Sequence, residues 1–247
     1  MIKQLLSALV LSAVALASSA GNIPDPLRIA TEGAYPPFNG VDANGKLIGF
    51  DVDIAMALCK EMKANCELVA QDWDGIIPAL VANKYDAIIA SMSITDERKK
   101  TIDFTNKYYS NYLAIIGEKG KVAGTNDLAG KVVGAQRSTL ASQWAEDNLM
   151  GKADVKLYDT QTAAYADLSA GRLEAMVSDI YPAMDWLKDN SGYELSGNAI
   201  DINDQIGIGI RQGESDLKAA FNKAIDAIRT NGTYAKINAK YFSADIY

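Results

Sequence analysis

The stretch from Ser91 to Arg98 combines hydroxyl groups, a helix start and a guanidinium. A strand that turns into a helix start leaves free main-chain N–H groups, which favour an anion. The guanidinium of Arg98 is a planar, two-pronged donor that suits a carboxylate. We therefore predict a pocket for the α-carboxylate of an amino acid. An arginine on the surface of a helix would leave the same pattern, so this alternative stays open.

The surrounding elements place this stretch at the end of a sheet. Residues 86–89 form an apolar run that predicts a buried strand, and Thr95 suits the N-cap of the next helix. Along the chain, strands such as 27–31 and 67–70 alternate with helices such as the one opened by Trp73. This alternation predicts parallel βαβ units and the α/β class.

An internal echo favours two lobes. Residues 80–91 and 168–179 share a helix end, a turn, an acidic residue, an alanine and an apolar strand. Each segment ends on a polar residue, Ser91 or Asp179, at the carboxyl end of its strand, where open α/β sheets bind ligands. Chance similarity between two βα units would give the same match. The predicted division places 24–110 and 207–247 in lobe 1 and 111–206 in lobe 2, with hinge crossings near 109–114 and 203–208. The apolar run over 206–211 predicts the strand that returns the chain to lobe 1.

The first twenty residues have the layout of a cleaved secretory signal. Lys3 precedes an apolar run over 5–17, and 17–20 are small residues. Nothing later in the sequence is long and apolar enough to span a membrane. We therefore expect residues 1–20 to be removed and the mature protein to be soluble outside the cytoplasm.

Composition narrows the classes of function. The formal charge is −7, which disfavours nucleic acid and anionic membranes as partners. The sequence has no histidine, which excludes Ser-His-Asp triads, Cys-His pairs and histidine zinc sites. Cys59 and Cys66 favour a short-loop disulfide in an oxidising compartment. A redox-active pair is the less favoured alternative, because the spacing is not CxxC.

Five motifs span nearly the whole mature chain: Glu32-Gly-Ala-Tyr-Pro-Pro-Phe, Gly49-Phe-Asp-Val-Asp, Trp73-Asp-Gly-Ile-Ile-Pro-Ala-Leu, the Ser91–Arg98 stretch and Asn231-Gly-Thr-Tyr. Their order and spacing resemble the periplasmic amino-acid-binding proteins of ABC importers. The nearest branch is the lysine/arginine/ornithine- and arginine-binding proteins, which likewise have two cysteines at this spacing. The resemblance implies two βα sandwich lobes joined by a two-strand hinge. It also implies a periplasmic monomer that delivers a basic amino acid to a membrane permease.

The resemblance further implies how the amino-acid backbone is held. Arg98 and the main-chain N–H groups of Ser93 and Thr139 would bind the α-carboxylate. Asp179, the Ser91 carbonyl and the Ser93 hydroxyl would take the α-ammonium. In the open state lobe 1 would present most of these groups, and closure would bring Thr139 and Asp179 onto the same ligand.

The side-chain subsite is implied by the same likeness. Tyr35 and Trp73 would sandwich the ligand side chain, and Glu32 would face its distal charge. Two aromatic faces and a carboxylate reward a cationic end, because an unpaired buried charge is costly. The full ligand-binding set is Glu32, Tyr35, Trp73, Ser91, Met92, Ser93, Arg98, Ser138, Thr139 and Asp179. No catalytic residue, metal or cofactor is expected.

Each of these residues also has an ordinary structural explanation. Tyr35 and Trp73 are suited to a core, Glu32 to a solvated loop, and Asp179 to a helix N-cap. Only Arg98 favours binding when taken singly. The binding interpretation is preferred because the residues occur together in family order.

The sequence also departs from the pattern of that branch. Arg137 stands where glycine is more common, Glu32 where aspartate is usual, and Leu140 where some relatives have a polar residue. These departures leave the choice among arginine, lysine, ornithine, histidine, glutamine and opines open. A periplasmic enzyme on the same fold, similar to cyclohexadienyl dehydratase, is the rival class, with Glu32 and Asp179 as its candidate acids.

Overall fold

The computed structural model describes residues 23–247 and has the predicted α/β class. Its strands are β1 Leu27–Thr31, β2 Gly40–Val41, β3 Leu47–Ile48, β4 Cys66–Ala70, β5 Ala87–Ile88, β6 Ile102–Glu118, β7 Val132–Gln136, β8 Asp154–Tyr158, β9 Ala175–Asp179, β10 Tyr193–Leu195 and β11 Ile200–Arg211. Its α-helices are α1 Phe50–Met62, α2 Trp73–Val81, α3 Asp96–Lys99, α4 Leu140–Leu149, α5 Gln161–Ser169, α6 Ile180–Leu187, α7 Ser215–Thr230 and α8 Thr233–Tyr241. The predicted signal segment, 1–20, lies outside the described residues. Within 23–247, no helix is long and apolar enough to cross a bilayer.

The main sheet contains the same arrangement of strands twice. Its order is β4-β1-β5-β11-β6-β9-β7-β8, and β10 pairs with β6. Strand β1 lies between its parallel neighbours β4 and β5, and β7 lies between its parallel neighbours β8 and β9. Strands β5 and β9 then pair antiparallel with β11 and β6, respectively. Read from either edge, the chain therefore forms a βαβαβ unit that ends against a long antiparallel strand.

The sequence echo falls on equivalent elements of these two units. Residues 80–91 run from the end of α2 through β5, and residues 168–179 run from the end of α5 through β9. The two polar residues that close the echo, Ser91 and Asp179, therefore follow or end the third strand of their units. The echo predicted this equivalence correctly.

Buried side chains fall into two groups that share no members. Two clusters take their buried residues from 27–109 and 206–246, with Phe50 and Leu80 among the largest. Two further clusters take theirs from 113–183, including Val133 and Met176. Strands β6 and β11 run from one group to the other. The fold is therefore two-lobed, while the exact lobe boundaries stay a prediction.

The crossing segments are longer than the sequence indicates. The predicted return strand began at residue 206, but β11 begins at Ile200, and β6 extends from Ile102 to Glu118. Both strands are long because they pair with each other along the crossing between the lobes, while β11 also pairs with β5 and β6 also pairs with β9. The disulfide is confirmed: Cys59 and Cys66 are bonded at 2.04 Å and tie the end of α1 to β4.

Candidate functional site

A cavity lies at the carboxyl ends of β1, β5, β7 and β9. These are the first and third strands of the two βαβαβ units, so both lobes contribute to its wall. It is lined by Glu32, Tyr35, Trp73, Ala90, Ser91, Ser93, Arg98, Gln136, Thr139, Leu140 and Asp179.

A fixed cation lies on one wall. Arg98 is in the short helix α3, where its main-chain N–H donates to the side chain of the N-cap residue Thr95 at 3.1 Å. Its guanidinium donates to the main-chain carbonyls of Ser93 and Ser138, both at 2.9 Å. Burial lowers the pKa of Arg98 to about 10. The group therefore stays charged at neutral pH and is held by both lobes.

A pair of buried acids lies near this cation. Asp179 accepts a hydrogen bond from the Tyr35 hydroxyl at 2.5 Å. Burial raises the pKa of Asp179, and the nearby charge of Asp204 raises it further. Burial also raises the pKa of Asp204, which accepts a hydrogen bond from the Asn111 side chain at 2.8 Å. A cationic group beside Asp179 would relieve this repulsion.

Asp179 occupies the N-cap position of α6, but its side chain makes no capping hydrogen bond. The ordinary explanation for this residue, a helix cap, therefore does not account for its carboxylate. That carboxylate instead faces the cavity and the loop after β1.

A third carboxylate lies on the cavity wall contributed by the end of β1. Glu32 is 9% exposed and accepts a hydrogen bond from the Gln136 amide at 2.8 Å. Burial raises its pKa to about 7, although the Gln136 hydrogen bond opposes the shift. A second cation would stabilise the ionised form of Glu32.

Two aromatic residues complete the wall. Tyr35 and Trp73 both line the cavity and are nearly buried. The Trp73 indole donates to the Ser138 carbonyl at 3.2 Å, and its ring centroid lies 5.3 Å from the guanidinium carbon of Arg98. The Tyr35 hydroxyl bonds to Asp179, and the Trp73 indole bonds to Ser138. A hydrogen bond therefore fixes the position of each ring at the cavity.

Direct hydrogen bonds join the lobes across the cavity. Ser138, at the start of the second lobe's helix α4, is the centre of several of them, because its carbonyl accepts from two side chains and its hydroxyl donates to Asp74 at 3.2 Å. The full set links Tyr35 to Asp179, Gln136 to Glu32, and Ser138 to Trp73, Arg98 and Asp74. The structure is therefore a closed arrangement of the two lobes.

Eight of the ten residues predicted to bind ligand line this one cavity: Glu32, Tyr35, Trp73, Ser91, Ser93, Arg98, Thr139 and Asp179. Met92 and Ser138 do not. Met92 is fully buried in the core cluster behind β5, because successive side chains of an extended segment point to opposite sides. Ser138 contributes its main-chain oxygen and its hydroxyl to hydrogen bonds between the lobes.

The main-chain N–H of Thr139 has a different partner from the one predicted for it. It donates to the Ser142 hydroxyl at 3.2 Å, and the Thr139 side chain accepts the Ser142 N–H at 3.1 Å. Together these bonds form the capping box of α4. A carboxylate at Thr139 would have to compete with the Ser142 hydroxyl for this donor.

Three further candidate residues, Gln136, Leu140 and Asp204, were not among the predicted ligand-binding residues. Gln136 ends β7 as Glu32 follows β1, so the rule that sites form at the carboxyl ends of strands would have found it. Leu140 was noted only as a departure, yet it lines the cavity. Asp204 lies in β11 before the predicted start of the return strand. Its neighbourhood depends on the crossing of two distant strands, so no local pattern pointed to it.

Comparison with known proteins gives consistent matches over nearly the whole chain. The model of the family described as bacterial extracellular solute-binding proteins, family 3, matches residues 27–244. The L-arginine-binding protein of Pseudomonas aeruginosa is 45% identical, with 98% of this chain and 97% of that protein covered. The lysine/arginine/ornithine-binding periplasmic protein of Escherichia coli is 39% identical, with 94% and 93% covered. An ancestral arginine-binding protein bound to arginine superposes with a TM-score of 0.85 at 38% identity, covering 90% of this chain and 100% of that one.

Proposed function

The chain belongs to family 3 of the bacterial extracellular solute-binding proteins, and we propose that it captures a basic L-amino acid, with L-arginine preferred, between its two lobes. The observation that carries this proposal is the order of charges along one cavity, one cation followed by two acids. Arg98 supplies a cation, Asp179 an acid beside it, and Glu32 a further acid near the aromatic residues. A zwitterion with a cationic side chain has the complementary sequence of charges.

The amino-acid backbone would bind at the Arg98 end. The guanidinium and the Ser93 N–H would hold the α-carboxylate, since a planar donor matches two carboxylate oxygens. The α-ammonium would pair with Asp179 and donate to the Ser91 carbonyl. This pairing neutralises a carboxylate whose ionisation burial makes unfavourable.

The side chain would lie between Tyr35 and Trp73 and end at Glu32. A guanidinium stacks on aromatic rings and gains about 0.5–2 kcal/mol from cation–π attraction. Its fork also offers several donors, and the Gln136 carboxamide beside Glu32 adds an acceptor for them. Lysine and ornithine carry the same charge with fewer directional donors, so we place them after arginine. The names of the similar proteins support this order.

Delivery of the bound amino acid to a permease would depend on ligand contacts to both lobes. We propose lobe 1 as 24–110 with 207–247 and lobe 2 as 111–206, connected near 109–114 and 203–208. A ligand that touches both lobes favours the closed form by its differential affinity, and the permease of an ABC importer would recognise that form. We further propose that the protein works as a periplasmic monomer after the signal at 1–20 is removed.

A ligand screen tests the proposal and separates it from the enzyme alternative. The mature protein is mixed with each of the twenty amino acids, ornithine, citrulline and opines, and thermal unfolding is recorded. At one common ligand concentration the tighter ligand adds more stability, about 2.7 kcal/mol where the concentration is 100 times Kd. Arginine should therefore give the largest shift, followed by lysine and ornithine. Mass spectrometry of the released ligand should recover it unchanged. Conversion of the ligand, or no shift with any basic amino acid, contradicts the proposal.

A further inference from the structure

Ser91 has an unusual main-chain conformation at the end of β5. Its φ is +53°, in the left-handed region that serine rarely adopts. Residues held there cost about 1–3 kcal/mol and persist only where the surroundings fix them. Under the proposed function the carbonyl of this residue accepts the ligand ammonium. Something in the protein must therefore hold Ser91 in place.

Ser91 is connected by hydrogen bonds to a fully buried carboxylate, both directly and through Tyr108. Asp51, in the first turn of α1, is 0% exposed and lies outside the cavity wall. One of its oxygens accepts the Ser91 hydroxyl at 2.9 Å, and the other accepts the Tyr108 hydroxyl at 2.7 Å. The Tyr108 oxygen in turn accepts the main-chain N–H of Ser91 at 3.1 Å. These three bonds form a closed ring that fixes both the side chain and the main chain of Ser91.

The same carboxylate also reaches the loop that carries Tyr35. The side-chain amide of Asn39 donates to Asp51 at 2.8 Å. The main-chain carbonyl of Asn39 accepts the main-chain N–H of Tyr35 at 2.7 Å. Gly49 makes this approach feasible, because a Cβ there would collide with the main-chain oxygen of Phe38. One buried acid thus connects two separate segments of the cavity wall.

We propose that Asp51 is a positioning residue for the ammonium subsite: the ring of hydrogen bonds among Asp51, Tyr108 and Ser91 holds the Ser91 carbonyl toward the ligand. This inference rests on the proposed function, because it assumes an ammonium at Ser91. It goes beyond that function by assigning affinity to a residue that does not touch the ligand. A role in stability alone predicts that loss of Asp51 weakens every ligand equally.

The substitution Asp51→Asn keeps the size of the side chain and breaks the ring. Asp51 accepts hydrogen bonds at both oxygens, whereas an asparagine amide must turn a donating NH₂ toward one of these positions. Turned toward Asn39, that NH₂ would meet the Asn39 NH₂, donor against donor; turned toward Tyr108, it would leave the Tyr108 hydroxyl proton without its acceptor. The ring cannot be satisfied in either orientation. Tyr108→Phe removes the same link by deleting one hydroxyl and is the milder variant.

The decisive measurement compares two ligands by calorimetry: L-arginine and 5-guanidinopentanoic acid, which lacks only the α-amino group. In both variants we expect arginine affinity to fall about 10- to 100-fold, the factor associated with one hydrogen bond to a charged group. Affinity for the analogue should change less than about 3-fold, because it places no ammonium at Ser91. The double variant should lose no more than the weaker-binding single variant, since both break one ring. Equal losses for the two ligands would overturn the inference.

Matched controls separate the ring from general effects of the substitutions. Asp53→Asn alters the other acid of the first turn of α1, which pairs at the surface with Lys240. Tyr158→Phe removes a hydroxyl that donates to Asp167 at 2.7 Å, the same length as the Tyr108–Asp51 bond. Neither control should change the ratio of the two affinities.

A measurement without ligand makes the test independent of the cargo. Amide exchange at Ser91, followed by NMR in the ligand-free protein, should accelerate at least 10-fold in Tyr108→Phe, because its N–H loses its acceptor. Unchanged exchange contradicts the positioning role whatever the protein binds. If the wild type binds no basic amino acid, the proposed function fails, and the exchange rate still decides whether the ring holds Ser91.

Discussion

The hydroxyl of Tyr35 donates to the carboxylate of Asp179 at 2.5 Å across 144 positions of the chain. Tyr35 follows β1 and Asp179 ends β9, so the bond joins the two equivalent βαβαβ units. A neutral hydroxyl satisfies one oxygen of the buried acid but leaves its charge unbalanced. The α-ammonium of a bound amino acid would supply the missing charge, which gives the two residues different weights in binding.

We therefore expect Asp179→Asn to weaken arginine binding far more than Tyr35→Phe. Loss of the acid leaves a buried ammonium without a counter-charge, at a cost of about 3–5 kcal/mol. Loss of the hydroxyl removes one hydrogen bond, at a cost of about 1 kcal/mol. Calorimetric Kd values for both variants check the difference. Asp154→Asn, an exposed acid at the start of β8, is the control and should bind as the wild type does.

Removal of the guanidinium should have a similarly large effect at the other end of the zwitterion. In Arg98→Ala the α-carboxylate loses its cation inside the cavity, and we expect binding to fall by about 3–5 kcal/mol. Arg98→Lys should recover only part of the loss, because an ammonium lacks the planar fork. Arg172→Ala removes an exposed arginine that pairs with Asp167 and should leave Kd unchanged. Wild-type affinity in Arg98→Ala would refute the role of Arg98.

The side-chain subsite can be tested by changing charge at constant shape. In Glu32→Gln the cavity loses a carboxylate whose pKa burial raises to about 7. We expect arginine and lysine to bind at least 10-fold more weakly, because each loses a buried counter-charge. Glutamine, which is neutral at that end, should bind about as well as before. Equal losses for all three ligands, measured in one titration series, would reject the subsite.

Arg137 departs from the family pattern, and this departure bears on which cationic ligand the protein selects. In the structure its guanidinium lies 3.1 Å from Asp159 and 3.9 Å from Asp74, so two carboxylates balance its charge. It is also 43% exposed, and such pairs contribute about 0–1 kcal/mol. We expect Arg137→Gly to change the affinities for arginine, lysine and ornithine by less than about 5-fold and by the same factor. A changed order among the three ligands would show that Arg137 selects between them.

Local patterns were sufficient for most of the fold. The apolar runs and turn residues predicted β1, β4 and β5, and Thr95 was correctly expected to cap the next helix. The echo of 80–91 in 168–179 predicted equivalent units because a helix end, a turn and an apolar strand are each indicated by the local sequence. The full lengths of β6 and β11 were not predictable in this way, since they depend on pairing between segments about 90 residues apart.

The residues of the candidate site form the same two groups: those that a local pattern identifies and those whose environment depends on distant segments. Ser91, which follows a strand, and Arg98, which lies just past a helix start, could be proposed from position alone, whereas Thr139 was implied by the family resemblance. Asp204 could not, because its environment is made by Asn111 on the opposing strand. Asp51 is one of two acids in the first turn of α1, and only its three-dimensional contacts with Ser91 and Tyr108 distinguish it from Asp53.

The acids of the cavity also predict how pH affects closure without ligand. In the closed arrangement burial raises the pKa of Glu32 to about 7 and also raises the pKa of Asp179. In an open, solvated cleft both groups should have pKa values near 4. Between these values the closed form binds more protons than the open form, so a falling pH favours closure. Each group contributes at most about 1.4 kcal/mol per pH unit over this range.

We therefore expect the closed fraction of ligand-free protein to rise as pH falls from about 8 to about 5. Energy transfer between dyes on the two lobes, supported by small-angle scattering, measures this fraction directly. Glu32→Gln combined with Asp179→Asn should flatten the pH dependence, because amides do not titrate. Arginine-saturated protein should show little change, since the ligand cations keep both carboxylates ionised in the closed form. A closed fraction that stays constant, or that rises with pH, would contradict the assignment of these acids to a cavity that closes.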